Sequence, residues 1–216
     1  MSHEVLEAVA RAGVVPVVAI DDAEAALPLA DALLEVGLPI VEVTFRTAAA
    51  ADAIARIVSA RPELLVGAGT VLTEENLAAA KDCGARFGVA PGLNPTIVHR
   101  ASQLGLPFVP GVATPSEIEQ GLALGCNTLK FFPAEALGGL AMIKALAAPY
   151  LHTGVRFMPT GGVTTENLGA YLQLKAVAAV GGTWIAKQDD IAAGRWSDIA
   201  RRCREAAAAV RSIRGG

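Results

Sequence analysis

Short runs of β-branched residues alternate with Ala-, Leu- and Glu-rich stretches along the whole chain, at intervals of about 25 residues. This alternation is typical of consecutive βα units, which build a parallel sheet with helices packed against it. The runs that read as strands, eight in number, are Val14 to Ile20, Ile40 to Thr44, Leu65 to Gly69, Phe87 to Ala90, Phe108 to Val112, Thr128 to Phe132, Arg156 to Thr160 and Ala176 to Gly181. Eight parallel strands with helices between them predict an α/β fold of the (β/α)8 TIM barrel type.

Polar residues and glycines mark the ends of the predicted helices. N-caps are expected at Thr73, Thr114 and Thr164, and C-terminal left-handed residues at Gly37, Gly84, Gly105 and Gly125. Ser2 to Ala12 reads as an extra N-terminal helix and Arg195 to Ile213 as a C-terminal helix. Because 216 residues with 53% hydrophobic content can bury one large core, residues 1–216 are expected to form a single domain. An open doubly wound sheet is the competing architecture, but no Gly-x-Gly-x-x-Gly motif follows the first strand.

Charge and composition exclude several classes of partner. The formal net charge of −3 argues against a nucleic-acid surface. We interpret the basic cluster of the last helix as a solvated face; it comprises Arg195, Arg201, Arg202, Arg204, Arg211 and Arg214. No basic segment followed by an apolar stretch opens the chain, and no apolar run reaches about 18 residues. We therefore expect a cytoplasmic protein that does not bind a membrane.

Cysteines and histidines give no sign of a metal centre. Cys83, Cys126 and Cys203 lie far apart and read as ordinary buried thiols of a reducing compartment. The three histidines, His3, His99 and His152, are dispersed and show no ligand spacing. No metal is expected.

Lys130 lies in the apolar sequence Leu-Lys-Phe-Phe-Pro at 129 to 133, which by itself offers the ammonium group no carboxylate. A lysine in such a run is costly unless it is used in its neutral form. A neutral amine is a nucleophile for carbonyl carbon. The alternative is a lysine that extends its ammonium group to solvent at the end of the strand. We favour the nucleophile, which requires a carbonyl substrate to be held nearby.

Two charged residues of the second predicted strand share a face. Because side chains alternate along a strand, Glu42 and Arg46 are expected to point into the barrel together with Lys130. One interpretation is an internal ion pair between Glu42 and Arg46. The functional interpretation uses Glu42 to transfer protons and Arg46 to bind a substrate carboxylate, while Arg46 also favours a neutral Lys130.

One glycine pair, Gly161-Gly162, follows the seventh predicted strand, and another, Gly181-Gly182, lies at the end of the eighth. The loops after these strands are the usual phosphate site in such barrels, because backbone N–H groups and a helix N-terminus face the anion there. Near the third strand, Thr70 either donates to the substrate carboxylate or merely begins a helix. Glu135 heads the helix after Lys130 and is a second choice for a catalytic group.

These residues resemble those of a known family, the class I 2-keto-3-deoxy-6-phosphogluconate (KDPG) aldolases, also called 4-hydroxy-2-oxoglutarate (KHG) aldolases. The resemblance covers nearly the entire chain. Its motifs are Val-Val-Ala-Ile-Asp-Asp at 17 to 22, Glu-Val-Thr-Phe-Arg-Thr at 42 to 47, Gly-Ala-Gly-Thr-Val at 67 to 71, Pro-Gly at 91 to 92, Lys-Phe-Phe-Pro-Ala-Glu at 130 to 135, Pro-Thr-Gly-Gly-Val at 159 to 163 and Gly-Gly-Thr-Trp at 181 to 184. Thr183 stands where the family commonly has serine, and Ala90 replaces a frequent serine before Pro-Gly.

The resemblance implies a function for each motif. Lys130 would form an imine with the substrate, without cofactor or metal, and Glu42 would move protons through a water. Arg46 and Thr70 would hold the pyruvyl carboxylate, in a pocket that Pro91 and Phe132 line. The residues expected to bind phosphate are Thr160, Gly161, Gly162, Gly182 and Thr183.

The implied reaction is the reversible cleavage of KDPG to pyruvate and D-glyceraldehyde 3-phosphate. The expected partners are therefore small molecules, namely a phosphorylated 2-keto-3-deoxy sugar acid and pyruvate, and the resemblance also implies a homotrimer. KHG or the galactonate epimer of KDPG stays open as the main substrate. Outside the family, two alternatives remain: a phosphosugar isomerase or epimerase that uses Glu42 as a base, and a non-catalytic phosphometabolite sensor.

Overall fold

The computed structural model describes residues 2–215 and contains nine short parallel strands. They are β1 (Val14–Val18), β2 (Ile40–Thr44), β3 (Leu65–Gly69), β4 (Phe87–Val89), β5 (Phe108–Val109), β6 (Gly111–Val112), β7 (Thr128–Phe131), β8 (Arg156–Pro159) and β9 (Val180–Gly182). The second and third strands have the predicted bounds. The predicted fifth strand is divided at Pro110, which has no N–H group to donate to a neighbouring strand.

The strands pair in two parallel sheets. Six of them follow the order β5-β4-β3-β2-β1-β9, and the other three follow the order β6-β7-β8. Two isolated parallel bridges, Phe157 with Val177 and Thr160 with Gly181, connect β8 to the segment that leads into β9. The parallel α/β fold is confirmed, while the closure of these sheets into one barrel stays a prediction.

The prediction that the eighth strand begins at Ala176 is wrong, because the strand begins at Val180. Phe157 donates its N–H to the Ala176 carbonyl and accepts from Ala178, so this segment first pairs with β8. From Val180 onward the chain pairs instead with β1, beginning with a hydrogen bond from Val180 N to Gly13 O. The residues between these two pairings change neighbours and therefore form no continuous strand.

Helices separate the strands. They are α1 (Ser2–Ala12), α2 (Ala26–Glu35), α3 (Ala50–Ala60), α4 (Glu74–Asp82), α5 (Pro95–Gln103), α6 (Pro115–Ala123), α7 (Gly139–Ala147), α8 (Thr165–Leu172), α9 (Gln188–Ala192) and α10 (Trp196–Arg214), with 3₁₀ turns at Ala23–Ala25, Glu135–Leu137 and Ala148–Thr153. Thr73 caps α4 by accepting from Asn76 N at 3.1 Å, and Thr114 forms a capping box with Glu117. The glycines that were expected to end helices, at 37, 84, 105 and 125, all have positive φ. The extra N-terminal and C-terminal helices are both present.

The last helix is less solvated than its arginines suggested. Arg202 and Arg195 both donate to Asp190 of α9, which is buried. Arg214 is partly buried and donates to the carbonyl oxygens of Ala10, Val177 and Ala178. The interpretation of a solvated face is therefore wrong for Arg202 and Arg214, which pack the helix against the rest of the chain. Within residues 2–215, none of the helices is both long and apolar enough to cross a membrane.

Candidate active site

Lys130 and Glu42 form a buried pair, although 88 positions separate them in the chain. Lys130 lies in β7 and is 5% exposed, whereas Glu42 lies in β2 and is fully buried. Lys130 Nζ donates to Glu42 Oε1 at 3.3 Å, and it lies 5.5 Å from the centre of the Phe132 ring. A side chain of the six-stranded sheet therefore contacts a side chain of the three-stranded sheet at this point.

The apolar run around Lys130 contains no carboxylate, but the fold supplies one from β2. The Glu42 carboxylate lies 3.3 Å from Lys130 Nζ, and both side chains are buried. The interpretation that Lys130 extends into solvent is wrong.

Gly69 makes room for the carboxylate of Glu42. A Cβ atom at position 69 would lie 2.2 Å from Glu42 Oε1 and 2.7 Å from Glu42 Cγ, so only glycine fits without displacing Glu42. The second carboxylate oxygen, Oε2, is buried and has no hydrogen-bond partner among the residues that the structure describes. This oxygen can therefore accept a hydrogen bond from a molecule that enters the site.

Arg46 is exposed and lies beyond the end of β2. Its side chain is therefore not enclosed together with Lys130 and Glu42 as expected, and the interpretation of an ion pair between Arg46 and the buried Glu42 is wrong, since none is found between them. Its Nε donates to Thr44 Oγ1 at 3.2 Å, and Thr44 Oγ1 donates to Val18 O at 2.8 Å. These bonds hold the guanidinium at the carboxyl ends of β1 and β2.

Three further predicted residues follow neighbouring strands. Thr70 follows β3, Pro91 follows β4 and Phe132 follows β7, and all three are partly buried. Thr70 has a φ of 55°, and no other non-glycine residue among positions 2–215 has positive φ. A threonine in the left-handed region costs of the order of 1 kcal/mol or more, and residues of this kind cluster at functional sites. Thr70 does not begin α4, which starts at Glu74 after the cap at Thr73.

The loops after β8 and β9 come together. Gly161 and Gly162 follow β8 with φ of 95° and 81°, a conformation that other residues rarely adopt. The buried Thr160 forms a parallel bridge with Gly181, whose missing side chain leaves space for the Thr160 hydroxyl. Gly182 ends β9, and Thr183 next to it is exposed.

The N-terminus of α8 lies beside this pair of loops. Trp184 Nε1 donates to Thr165 Oγ1 at 3.1 Å and so joins the loop after β9 to the first residue of α8. Glycine backbone and a helix N-terminus are the groups that bind phosphate in proteins.

Two residues of this region were not found from the sequence. Tyr171 and Asn167, both in α8, donate to Glu135 Oε1. No local motif identifies them, because they become neighbours of Glu135 only when α8 packs against the segment after β7. Glu135 itself is held in this hydrogen-bonded group, and no hydrogen bond or ion pair is found between it and Lys130. Among residues 2–215, no group of three His, Cys, Asp or Glu side chains could hold a metal ion.

Comparison with known proteins decides the family. A family model described as KDPG and KHG aldolase matches residues 5–202. The chain belongs to the KDPG and KHG aldolase family. A 2-dehydro-3-deoxy-phosphogluconate aldolase of Haemophilus influenzae resembles this aldolase with 45% identity over 204 residues, which cover 94% of this chain and 95% of that protein. Family membership sets aside the isomerase, epimerase and sensor alternatives.

Solved structures of relatives carry ligands that bear on the site. The KDPG aldolase of Legionella pneumophila, with pyruvate captured at low pH as a covalent carbinolamine intermediate, has a TM-score of 0.87 and 39% identity to this aldolase. The match covers 94% of this chain and 97% of that one. The KDPG aldolase of Zymomonas mobilis ZM4, with 3-phosphoglycerate, has a TM-score of 0.85 and 37% identity, over 96% of this chain and 95% of that one.

Proposed function

We propose that this aldolase reversibly cleaves KDPG to pyruvate and D-glyceraldehyde 3-phosphate through an imine on Lys130. The observation that carries the proposal is the buried contact between Lys130 Nζ and Glu42 Oε1, at 3.3 Å, in a chain of this family. The covalent pyruvate intermediate of the Legionella pneumophila relative supports the same chemistry.

The reaction begins when Lys130 Nζ attacks the C2 carbonyl of the substrate. The carbinolamine loses water and becomes an iminium ion, which accepts electrons from the neighbouring C3–C4 bond. Removal of the C4 hydroxyl proton then breaks that bond, so that the aldehyde leaves and an enamine remains. Protonation of the enamine at C3 gives the pyruvate iminium. Water hydrolyses this iminium and releases pyruvate and the free amine.

Glu42 is the group proposed to move these protons. Its Oε1 accepts from Lys130, and its Oε2 is a buried acceptor that the described protein leaves without a partner. A carboxylate in this position can take the C4 hydroxyl proton, through a water, and return it to the enamine. General acid–base catalysis of this kind contributes about 10²–10⁴ to the rate.

The two ends of the substrate are proposed to bind to separate groups. Arg46 and Thr70 hold the carboxylate, beside Pro91 and the ring of Phe132. The phosphate binds to Thr160, Gly161, Gly162, Gly182 and Thr183, next to the N-terminus of α8. Binding at both ends fixes the C3–C4 bond relative to Lys130 and Glu42, and such alignment lowers the barrier without further covalent chemistry.

The choice among related substrates is tested by comparing specificity constants. KDPG, its galactonate epimer and KHG share the 2-keto acid that forms the imine, and they differ at C4 and in the phosphate. If the phosphate residues act as proposed, kcat/KM for KDPG exceeds that for KHG, which carries no phosphate. A chain that prefers KHG contradicts the proposed phosphate site.

Reductive trapping tests the imine. The protein is treated with borohydride in the presence of pyruvate and then digested. The mass of the peptide that contains Lys130 is measured by mass spectrometry. A reduced pyruvyl group on Lys130 is expected, and an unmodified Lys130 would refute the imine. Lys130→Ala abolishes turnover and keeps the fold, whereas the matched variant Lys187→Ala, which removes an exposed lysine, keeps full activity.

The remaining parts of the proposal concern architecture and assembly. We infer that the two sheets form one closed (β/α)8 barrel, because the two isolated bridges join the end of the second sheet, at β8, to β9 of the first sheet and to the residues just before it. We also infer that residues 1–216 form one domain. A homotrimer is what the family resemblance implies, and a cytoplasmic location stays an expectation from the sequence. Light scattering, which measures the mass in solution, tests the trimer against the 22.1 kDa of one chain.

A further inference from the structure

Glu135 lies at the junction between the strand that carries Lys130 and the loop proposed to bind phosphate. Past the end of β7, Ala134 N donates to Thr160 O at 2.8 Å, and Glu135 N donates to Gly161 O at 3.0 Å. The backbone after Lys130 is thereby paired with the backbone of the glycine loop. Glu135 is the last residue of this pairing before the chain turns into the 3₁₀ helix Glu135–Leu137.

The carboxylate of Glu135 ties the same loop to α8. Its Oε1 accepts hydrogen bonds from Tyr171 OH and from Asn167 Nδ2, the latter at 3.2 Å. Asn167 Oδ1 in turn accepts from the N–H of Thr164, at 2.8 Å, immediately before α8 begins. Burial, followed by the hydrogen bond to Glu135, raises the pKa of Tyr171 above its ordinary value, so the phenol stays a donor at neutral pH.

The aliphatic part of Glu135 packs against the second glycine of the loop. A Cβ atom on Gly162 would lie 2.6 Å from Glu135 Cβ and 2.7 Å from Glu135 Cγ. Gly161 and Gly162 both adopt positive φ, and two successive glycines have many other conformations available to them. Ordering each backbone residue costs roughly 1–2 kcal/mol of conformational free energy. Contacts that hold the loop before the ligand arrives reduce that cost during binding.

We propose that Glu135 is a positioning residue for the phosphate loop, which it fixes through its backbone N–H, its methylene groups and its carboxylate. This inference rests on the proposed function, because it concerns the phosphate subsite of that reaction. Glu135 does not take part in the chemistry at Lys130. Since a carboxylate repels a phosphate, its benefit comes from the hydrogen bonds that it accepts and not from its charge.

A comparison of phosphorylated and unphosphorylated substrates tests this role. In Glu135→Ala, the KM for KDPG and the Kd for inorganic phosphate, measured by calorimetry, rise roughly tenfold, the effect of losing hydrogen bonds to an ionised group. The kcat/KM for KHG stays within twofold of the unmodified protein. Glu135→Gln keeps an acceptor oxygen and the side-chain volume, so it restores phosphate affinity to within about threefold. Tyr171→Phe removes one donor and gives an intermediate loss.

Glu119→Ala is the matched control. Glu119 Oε1 accepts from Tyr150 OH at 2.9 Å, so this variant also breaks a hydrogen bond between glutamate and tyrosine, although this bond is exposed and lies away from the loops. It leaves all three constants unchanged. The melting temperature of each variant is measured in parallel, so that Glu135→Gln and Tyr171→Phe decide the matter if Glu135→Ala unfolds.

The possible failures can be distinguished. If Glu135→Ala weakens turnover of KDPG and KHG equally, or leaves the Kd for phosphate unchanged, the positioning role is refuted while the aldolase function stands. If Glu135→Gln weakens phosphate binding as much as Glu135→Ala, the accepted hydrogen bonds are not what matters and the inference also fails. If the unmodified protein neither binds phosphate nor cleaves either substrate, it is the proposed function that fails.

Discussion

Replacement of Gly69 by alanine tests the geometry of Lys130 and Glu42, the proposed catalytic pair, without removing either residue. The new methyl group would lie 2.2 Å from Glu42 Oε1, whereas ordinary contacts begin near 3.4 Å. The carboxylate oxygen must therefore move by about 1.2 Å, the difference between these two distances. Its 3.3 Å contact with Lys130 Nζ cannot keep its present geometry. A misplacement of about 1 Å can cost 10²-fold in rate, so kcat is expected to fall roughly 100-fold.

Overpacking also lowers stability, by about 1–3 kcal/mol, and this must be separated from the effect on catalysis. Gly88→Ala is the matched control, because its Cβ would lie 2.7 Å from the Phe108 ring in the neighbouring strand and would not touch Glu42. Turnover is followed by coupling pyruvate formation to NADH oxidation, and stability is measured by urea denaturation. We expect both variants to lose similar stability, while only Gly69→Ala loses kcat.

Combining the substitution with Glu42→Gln completes the test. If the methyl group acts through the carboxylate, Gly69→Ala causes little further loss of kcat in the Glu42→Gln protein. Retention of kcat within twofold in Gly69→Ala, or an equal loss of kcat in Gly88→Ala, would contradict the reasoning.

Two further predictions concern buried ionisable groups. Burial raises the pKa of Asp190, but hydrogen bonds from Arg195 and Arg202 outweigh it and hold the pKa below its ordinary value. These hydrogen bonds to Asp190 therefore stabilise the folded state fully when the pH is above the pKa of Asp in the unfolded chain, about 3.9. The stabilisation is lost as the pH falls through the lower pKa that Asp190 has in the folded state. Asp190→Asn should lower the free energy of unfolding by about 1–3 kcal/mol at pH 7 and by less at pH 3, and a constant difference across this range would be evidence against the mechanism. Burial raises the pKa of Cys126 to about 11 and that of Cys203 to about 12, while Cys83 is partly exposed with a smaller rise. A thiol reagent at pH 8 should therefore label Cys83 first and the other two only on unfolding; rapid labelling of Cys203 in the folded protein would show this to be wrong.

Local signals in the sequence were sufficient for the helix ends and most strands. Thr73 caps a helix because its side chain reaches an N–H three residues away. Gly37 ends a helix because it adopts a positive φ, which depends only on the local backbone. Such contacts join residues that are close in sequence, so they can be predicted from the sequence alone. The strand after Ala176 was placed too early, because its pairing depends on two partners, β8 and β1, that are distant in sequence.

The sequence by itself determined the parallel α/β pattern, the family motifs and the candidate residues Lys130 and Glu42. Only the tertiary structure decided how these residues interact. Side-chain alternation states which face of a strand Glu42 occupies, but not that its carboxylate lies over Gly69 and reaches Lys130 from another sheet. Nor could it exclude Arg46 from the interior, since the strand ends at Thr44 before the alternation reaches that residue. The periodicity of a sequence indicates which way side chains point within one strand or helix. The distance between side chains of different strands depends on how the whole chain packs.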